Sequence, residues 1–165
     1  MSFSRVIFAV VQAWLLASLS GCASLPAEPS ASTILNAGDR AFCVSETNRY
    51  RAMAGTGPVI ESESIEAYAD RAAAHDHGRN RAHDYSRGLN GPKEIAWAEN
   101  SAIRWPLNGG SRKPAIAAII AAFWAEGPGG GHYETMRNSR YGAVGCGGYT
   151  KNGAFTLVQH FRAPK

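Results

Sequence analysis

The end of the chain carries the pattern of two β-strands joined by a tight turn. Residues 141–149 and 154–162 are strand-like, and the Asn152-Gly153 pair between them is the strongest short-range signal for a β-hairpin. The first strand is rich in glycine, which weakens a strand unless another part of the molecule must approach its backbone closely. We therefore expect a C-terminal hairpin with an element packed tightly on its first strand.

Upstream of this hairpin, apolar residues recur at helical spacing. The pattern predicts one helix within residues 33–53, a second over 65–74, and a third that starts at Pro114 and stops at Gly127. Residues 78–113 show no strong periodicity, and no element is predicted there. Helices followed by a terminal hairpin indicate an α+β layer structure and not a doubly wound sheet.

The N-terminus has the features of a targeting segment. An apolar block over residues 6–19 follows Arg5, is too short to span a bilayer comfortably, and ends in Leu19-Ser20-Gly21-Cys22. This ending resembles the lipobox of bacterial lipoprotein precursors, in which the cysteine is acylated and becomes the first mature residue. The alternative is a plain secretory signal with a chance cysteine.

The lipobox resemblance implies an envelope protein that is anchored to the membrane through lipid on Cys22 and does not span it. Ala23 follows the cysteine, which resembles sorting to the outer membrane, facing the periplasm. We expect a signal peptide over residues 1–21, a Pro- and Ser-containing tether over 22–32, and one folded domain over 33–165.

The charge balance bears on possible partners. Lys and Arg number 17 against 13 Asp and Glu, a net charge of +4, and no basic run exceeds two residues. This excess is too small and too scattered to predict a nucleic-acid partner.

Three cysteines cannot all pair with one another. If Cys22 is lipidated, Cys43 and Cys146 remain in an oxidising compartment, where they can form a disulfide. Two buried free thiols are the alternative.

Several polar residues stand out as candidates for a functional site. They are His75, His77, His83, Glu94, Glu99, Glu126 and His132. Glu126 and His132 are separated by the flexible run 127–131, which can turn the chain so that both side chains face one cavity. An imidazole beside a carboxylate is either a metal-binding pair or a histidine oriented by its acid, although ordinary hydrogen-bonded surface groups have the same composition.

The order of short motifs resembles the CAP superfamily (cysteine-rich secretory proteins, antigen 5, pathogenesis-related 1), also called SCP-like domains. The matching segments are Asn48-Arg49-Tyr50-Arg51 with Gly55-Thr56-Gly57-Pro58, His83-Asp84, Ala98-Glu99-Asn100-Ser101-Ala102, Phe123-Trp124-Ala125-Glu126, Gly131-His132-Tyr133 and Val144-Gly145-Cys146-Gly147. One departure is Phe123, which occupies the column where the family has Trp. The resemblance implies a three-layer α-β-α sandwich with a central antiparallel sheet.

The resemblance also implies a cleft that contains two histidines and two glutamates. These map to His83, Glu99, Glu126 and His132, with Tyr133 at the cleft edge. Glu94 competes with Glu99 for the first acidic position, because the loop before it is longer than usual. The family's further cysteines are missing, so a Cys43–Cys146 bridge would be non-standard.

Three functions follow from such a cleft. In several family members the histidines bind a divalent ion, often zinc, so the leading expectation is a non-catalytic lipoprotein that binds a divalent metal or a small or lipidic ligand. The alternative is a metal-dependent hydrolase acting on envelope peptide or lipid, although H-E-x-x-H and a nucleophile beside its base are both missing from the sequence. The third is a structural lipoprotein with a vestigial cleft.

Two further groups are predicted to have structural or solvated roles. Trp97, Trp105 and Trp124 are expected in the core. Arg79, Arg81 and Arg87 are expected on a solvated loop.

Overall fold

A four-stranded sheet lies between two layers of helices. The computed structural model describes residues 34–88, 95–107 and 110–164. The strands are β1 (Ile60–Glu61), β2 (Ala98–Pro106), β3 (Ala143–Lys151) and β4 (Ala154–Arg162). The helices are α1 (Ala37–Met53), α2 (Glu63–Arg79), α3 (Asp84–Gly88), α4 (Arg112–Ala125) and α5 (Gly131–Arg137). The strand order is β1-β3-β4-β2, so β2 is an edge strand.

The predicted hairpin is present at the centre of this sheet. β3 and β4 pair antiparallel up to Lys151 and Ala154, and Asn152 and Gly153 both have positive φ (52° and 72°). Positive φ at both central residues is the requirement of the tight hairpin turn that Asn-Gly favours. The sheet is nevertheless mixed and not purely antiparallel as expected, because the short β1 pairs in parallel with β3.

The glycines of β3 allow α2 to lie directly on the sheet. A Cβ atom at Gly147 would come within 2.1 Å of the Ala69 backbone, and one at Gly145 within 2.4 Å of the Ile65 and Glu66 backbone. The expectation of a close approach at this strand is therefore confirmed. The opposite face of the sheet packs against α1 and α4 through Phe155, Leu157, Phe161 and the isoleucines of α4. The result is the predicted α-β-α sandwich.

All three predicted helices form, with shifted ends. α1 starts at Ala37 because the Asn36 side chain accepts a hydrogen bond from the Asp39 amide (2.8 Å) and caps it. α2 continues past residue 74 until Asn80, which is left-handed (φ 52°). None of the helices in the described ranges combines the length and apolar composition needed to cross a membrane.

Four elements were not predicted, namely β1, β2, α3 and α5. β2 is polar at Glu99, Asn100 and Ser101 and is interrupted by an irregularity between Ala102 and Trp105, so it lacks a period-two apolar pattern. The prediction that Trp97 belongs to the core is wrong. It lies just before this strand with 53% of its surface exposed, whereas Trp105 and Trp124 are partly buried against the core.

The two remaining cysteines are bonded to each other. Cys43 of α1 and Cys146 of β3 form a disulfide across 103 residues of sequence, and both are fully buried. The disulfide alternative is confirmed over the free thiols. The bond joins one helical layer to an inner strand of the sheet.

A buried arginine fixes the segment that follows α5. Arg51 of α1 is 1% exposed, and its guanidinium donates to the backbone carbonyls of Gly57, Met136, Asn138 and Tyr141. A guanidinium offers five N–H donors in a planar fork, which suits several carbonyls at once. Arg51 therefore ties the end of α5 to α1.

Candidate functional site

A cavity of about 360 Å³ lies beside the edge strand β2. It is lined by His83, Glu99, Glu126, Gly131, His132 and Thr135. The four residues predicted for the cleft thus meet at one cavity, although they come from separate segments of the chain. Glu94, the alternative acidic position, lies outside the described residues, as do Cys22 and the predicted signal peptide and tether.

The first pair in the cavity is His83 with Glu99. His83 precedes α3 in a left-handed conformation (φ 63°), and its Nδ1 lies 2.9 Å from Glu99 Oε1. The Glu99 side chain is only 7% exposed, so its charge needs further partners. His160 provides one, with Nε2 2.9 Å from Oε2, and the Ser86 hydroxyl donates to the same oxygen.

These contacts hold Glu99 ionised. Burial acts to raise the pKa of its carboxyl, but the hydrogen bonds from His160 and His83 outweigh it and place the pKa well below the ordinary value of 4.5. A buried carboxylate is therefore present at the cavity wall throughout the neutral pH range.

The second pair is Glu126 with His132. Glu126 caps the end of α4, and the chain then turns through Gly127 and Gly129, both with positive φ (68° and 94°), into α5. One Glu126 oxygen lies 2.5 Å from His132 Nδ1 and the other accepts from the His132 amide at 3.0 Å. A Cβ at Gly130 would lie 2.4 Å from the Glu126 Cβ, so this turn requires glycine there.

Two neighbours fix the position of the His132 ring. The Phe123 ring packs on it with 4.3 Å between centroids. Phe123 is the residue that departs from the family pattern, and it supplies an aromatic contact at this place. The buried Asn100 side chain donates to the His132 carbonyl at 3.2 Å, which links α5 to β2.

The two pairs share one chemical arrangement. Each imidazole places Nδ1 against a carboxylate. In a neutral imidazole held in this way, Nδ1 carries the hydrogen and Nε2 carries the lone pair that a metal needs. The His83 and His132 rings lie 6.4 Å apart between centroids, with 28° between their planes.

This arrangement fits a divalent metal in part. Metal-binding histidines usually donate their other nitrogen to a carboxylate, as both do here. Within the described ranges, no group of three or more His, Cys, Asp or Glu residues is arranged to hold a metal ion. A metal held in this cavity would have the two imidazoles as its protein ligands, with water completing the coordination.

The other candidate residues lie elsewhere. His75 is exposed and lies 3.0 Å from Asp84, while His77 is buried and bonds the Thr156 hydroxyl at 2.9 Å. Tyr133 packs on Trp124 with 4.4 Å between ring centroids, and its role at the cleft edge stays a prediction.

Ser86 and His160 are part of the site and were not singled out from the sequence. His160 follows Thr156 and Val158 at alternate positions of β4, on the sheet face that α2 covers, and it pairs in register with Glu99. The sequence signal that could have identified His160 is its place in the alternating pattern of β4, where it shares a face with Thr156 and Val158. The contact of Ser86 with Glu99 depends on the packing of α3 against β2. No local sequence pattern indicates this packing.

The comparisons with known proteins agree with the sandwich fold and identify the family. The sequence model of the CAP family, the cysteine-rich secretory protein family, matches residues 44–161, which is more than half of the chain. The chain therefore belongs to the CAP family. Among curated proteins, none shows significant sequence similarity to it.

Solved structures share the fold at low sequence identity. A cysteine-rich secretory protein from Staphylococcus aureus is 16% identical (TM-score 0.51), with 76% of this chain and 38% of that chain covered. Hookworm platelet inhibitor is 13% identical (TM-score 0.55), with 79% and 71% covered. An outer surface protein from Borrelia burgdorferi is 14% identical (TM-score 0.52), with 79% and 98% covered. The chain thus spans well under half of the Staphylococcus protein and nearly all of the Borrelia protein.

Proposed function

We propose that this protein is a membrane-anchored, extracytoplasmic CAP-domain lipoprotein whose His/Glu cleft binds a divalent cation without catalysing a reaction. The observation that carries the proposal is the pairing of both cavity histidines with carboxylates through Nδ1. In neutral imidazoles this pairing leaves Nε2 of each ring as the atom that can bind a metal, beside two carboxylates.

The charge of the cavity favours a cation over a lipid. Glu99 is held ionised, and the pKa of Glu126 is also lowered, because hydrogen bonds from His132 outweigh the effect of desolvation. The lining is made of His, Glu, Gly and Thr, without a large apolar side chain among the described residues. Neutral imidazole suits zinc, which is the cation we expect.

The surroundings of Ser86 support a non-catalytic role. Its hydroxyl lies 3.2 Å from His160 Nε2, which resembles a nucleophile beside a base. That same nitrogen already faces Glu99, and His160 Nδ1 has no hydrogen-bond partner within the described residues. The acid that would orient a catalytic histidine from its far side is therefore missing there.

Metal analysis of natively purified full-length protein tests the proposal. We expect about one zinc per chain, and we expect the double substitution His83→Ala, His132→Ala to abolish uptake, because both imidazole ligands are lost. His75→Ala is the matched control, since His75 also pairs with a carboxylate but lies outside the cavity. Unchanged zinc uptake in the double variant would contradict the proposal.

An activity assay on a panel of peptide and lipid substrates distinguishes cation binding alone from the hydrolase alternative. We expect no turnover that requires the cavity. Hydrolysis by the wild type that disappears in Glu126→Gln, with zinc still bound and the fold intact, would instead establish the hydrolase.

Membrane attachment is tested at Cys22. We expect metabolic labelling with a fatty acid to mark the wild type, and Cys22→Ser to remove the label and release the protein from the membrane fraction. Equal labelling of both would contradict the lipid anchor.

A further inference from the structure

A second cavity lies on the outer side of α2 and α3, and most of its charged side chains are basic. It has a volume of about 540 Å³ and is lined by His75, Arg79, Arg81, Asp84, Tyr85, Arg87 and Gly88. The three arginines predicted to occupy a solvated loop thus gather around one hollow. We refer to it as the arginine pocket.

The helix geometry extends this basic surface along α2. Arg71, His75 and Arg79 are spaced four residues apart, so they lie on one face of the helix. Arg71 Nε donates to the Tyr85 hydroxyl at 3.2 Å, and the Tyr85 ring lies 5.5 Å from the His75 ring. Tyr85 therefore connects the helical stripe with the pocket.

The single carboxylate in the pocket does not neutralise it. Arg79, Arg81 and Arg87 contribute +3 and Asp84 contributes −1, which leaves +2 with His75 neutral. Asp84 is shared by Arg79, Arg81 and His75, whose side-chain nitrogens lie within 3.0–3.6 Å of its oxygens.

The arginines keep most of their hydrogen-bonding capacity. Arg79 Nε and an Arg81 terminal nitrogen lie 3.6 Å and 3.5 Å from Asp84, which is ion-pair distance but beyond a good hydrogen bond. Among the described residues, the Arg87 guanidinium has no carboxylate within ion-pair distance. Three planar donor forks therefore face one hollow with few protein acceptors.

We infer that the arginine pocket binds a phosphate-bearing ligand. Guanidinium groups recognise phosphate through paired, charge-assisted hydrogen bonds, and the exposed cations here are arginines and not lysines. The ligand is either a free phosphorylated small molecule or the phosphate of a lipid headgroup at the membrane. This binding is separate from the proposed cation site, because Ser86 faces Glu99 whereas the neighbouring Arg87 faces the pocket.

Calorimetric titration of the full-length protein in dodecyl maltoside tests the inference with two probes. Glycerol 3-phosphate represents a free ligand, and phosphatidylglycerol added to the micelles represents a headgroup. We expect one probe to bind the wild type, and Arg79→Gln with Arg87→Gln to weaken that binding by about tenfold or more, as expected for lost charge-assisted hydrogen bonds.

A control variant separates the pocket from general charge. Arg49→Gln with Arg140→Gln removes the same two charges from exposed sites elsewhere, and we expect its affinity to match the wild type. Binding of glycerol 3-phosphate assigns the pocket to free phosphorylated molecules, and binding of phosphatidylglycerol alone assigns it to a lipid surface. If neither probe binds, or both double variants lose affinity equally, the inference is wrong. The arginine pocket and the cation cavity share no lining residue, so we expect both double variants to take up zinc as the wild type does. A failure of this inference can therefore be distinguished from a failure of the proposed cation site.

Discussion

At the scale of single residues, Glu99 determines much of the charge and order of the cavity. Its two oxygens accept from His83, His160 and Ser86, while its side chain is almost completely buried. Each of these donors would lose its partner if the carboxylate were replaced. Glu99 therefore connects the stability of the domain with the position of His83.

Glu99→Gln is expected to lower the free energy of unfolding by about 2 kcal/mol near neutral pH, because hydrogen bonds to a buried charge are lost. The folded-state pKa is depressed below 4.5, so this contribution is full above that value and is lost as the pH falls through the folded pKa. Urea denaturation across pH should show the difference between wild type and variant shrinking in acid.

Glu134→Gln is the control for this series, because Glu134 pairs with Arg137 on the surface, where ion pairs contribute little. A difference for Glu99→Gln that grows on acidification would contradict the assignment of an ionised Glu99.

Motifs identified some residues of the site and could not identify others. His83, Glu99, Glu126 and His132 lie in short segments whose order indicated a cleft, so their meeting was predictable. Ser86 and His160 were not, because their contacts with Glu99 arise from strand register and from the return of α3, which are tertiary features.

At the scale of elements, the packing of α2 on β3 depends on two glycines. Gly147→Ala is expected to destabilise the protein by about 1–3 kcal/mol, since the new methyl group would lie 2.1 Å from the Ala69 backbone. Gly78→Ala is the matched control in exposed α2, where no atom lies within 4 Å and alanine favours the helix. We expect this control to stabilise by about 0.5–1 kcal/mol.

Thermal unfolding of both variants provides the measurement. An unchanged midpoint for Gly147→Ala would show that the helix can move away from the strand at little cost, contrary to the close packing described above.

An element could be predicted from the sequence only where its own residues carry a clear pattern. β4 matched its predicted residues because Asn152-Gly153 fixes the turn and Phe155, Leu157 and Phe161 form one apolar face of the strand. β2 was missed because its polar residues serve the site and its neighbours, which removes the apolar alternation that would reveal a strand.

At the scale of the whole molecule, the disulfide is the main covalent constraint within the described residues. Replacing Cys43 and Cys146 with alanine is expected to lower the free energy of unfolding by about 4 kcal/mol, because the bond closes a loop of roughly 100 residues. Chemical denaturation of the double variant and of the oxidised wild type measures this difference. The wild type under reducing conditions is the control and should match the double variant. A double variant as stable as the oxidised wild type would contradict the expectation.

The position of the cavity gives it a mechanical consequence. His83 approaches from the side of α2 and α3, and His132 approaches from the side of α4 and α5, across the open rim formed by β2. A cation bound by both rings would connect the two helical layers to each other. The disulfide, by contrast, connects only one of these layers to the sheet. Occupancy would then stiffen this rim and slow the exchange of amide hydrogens along β2.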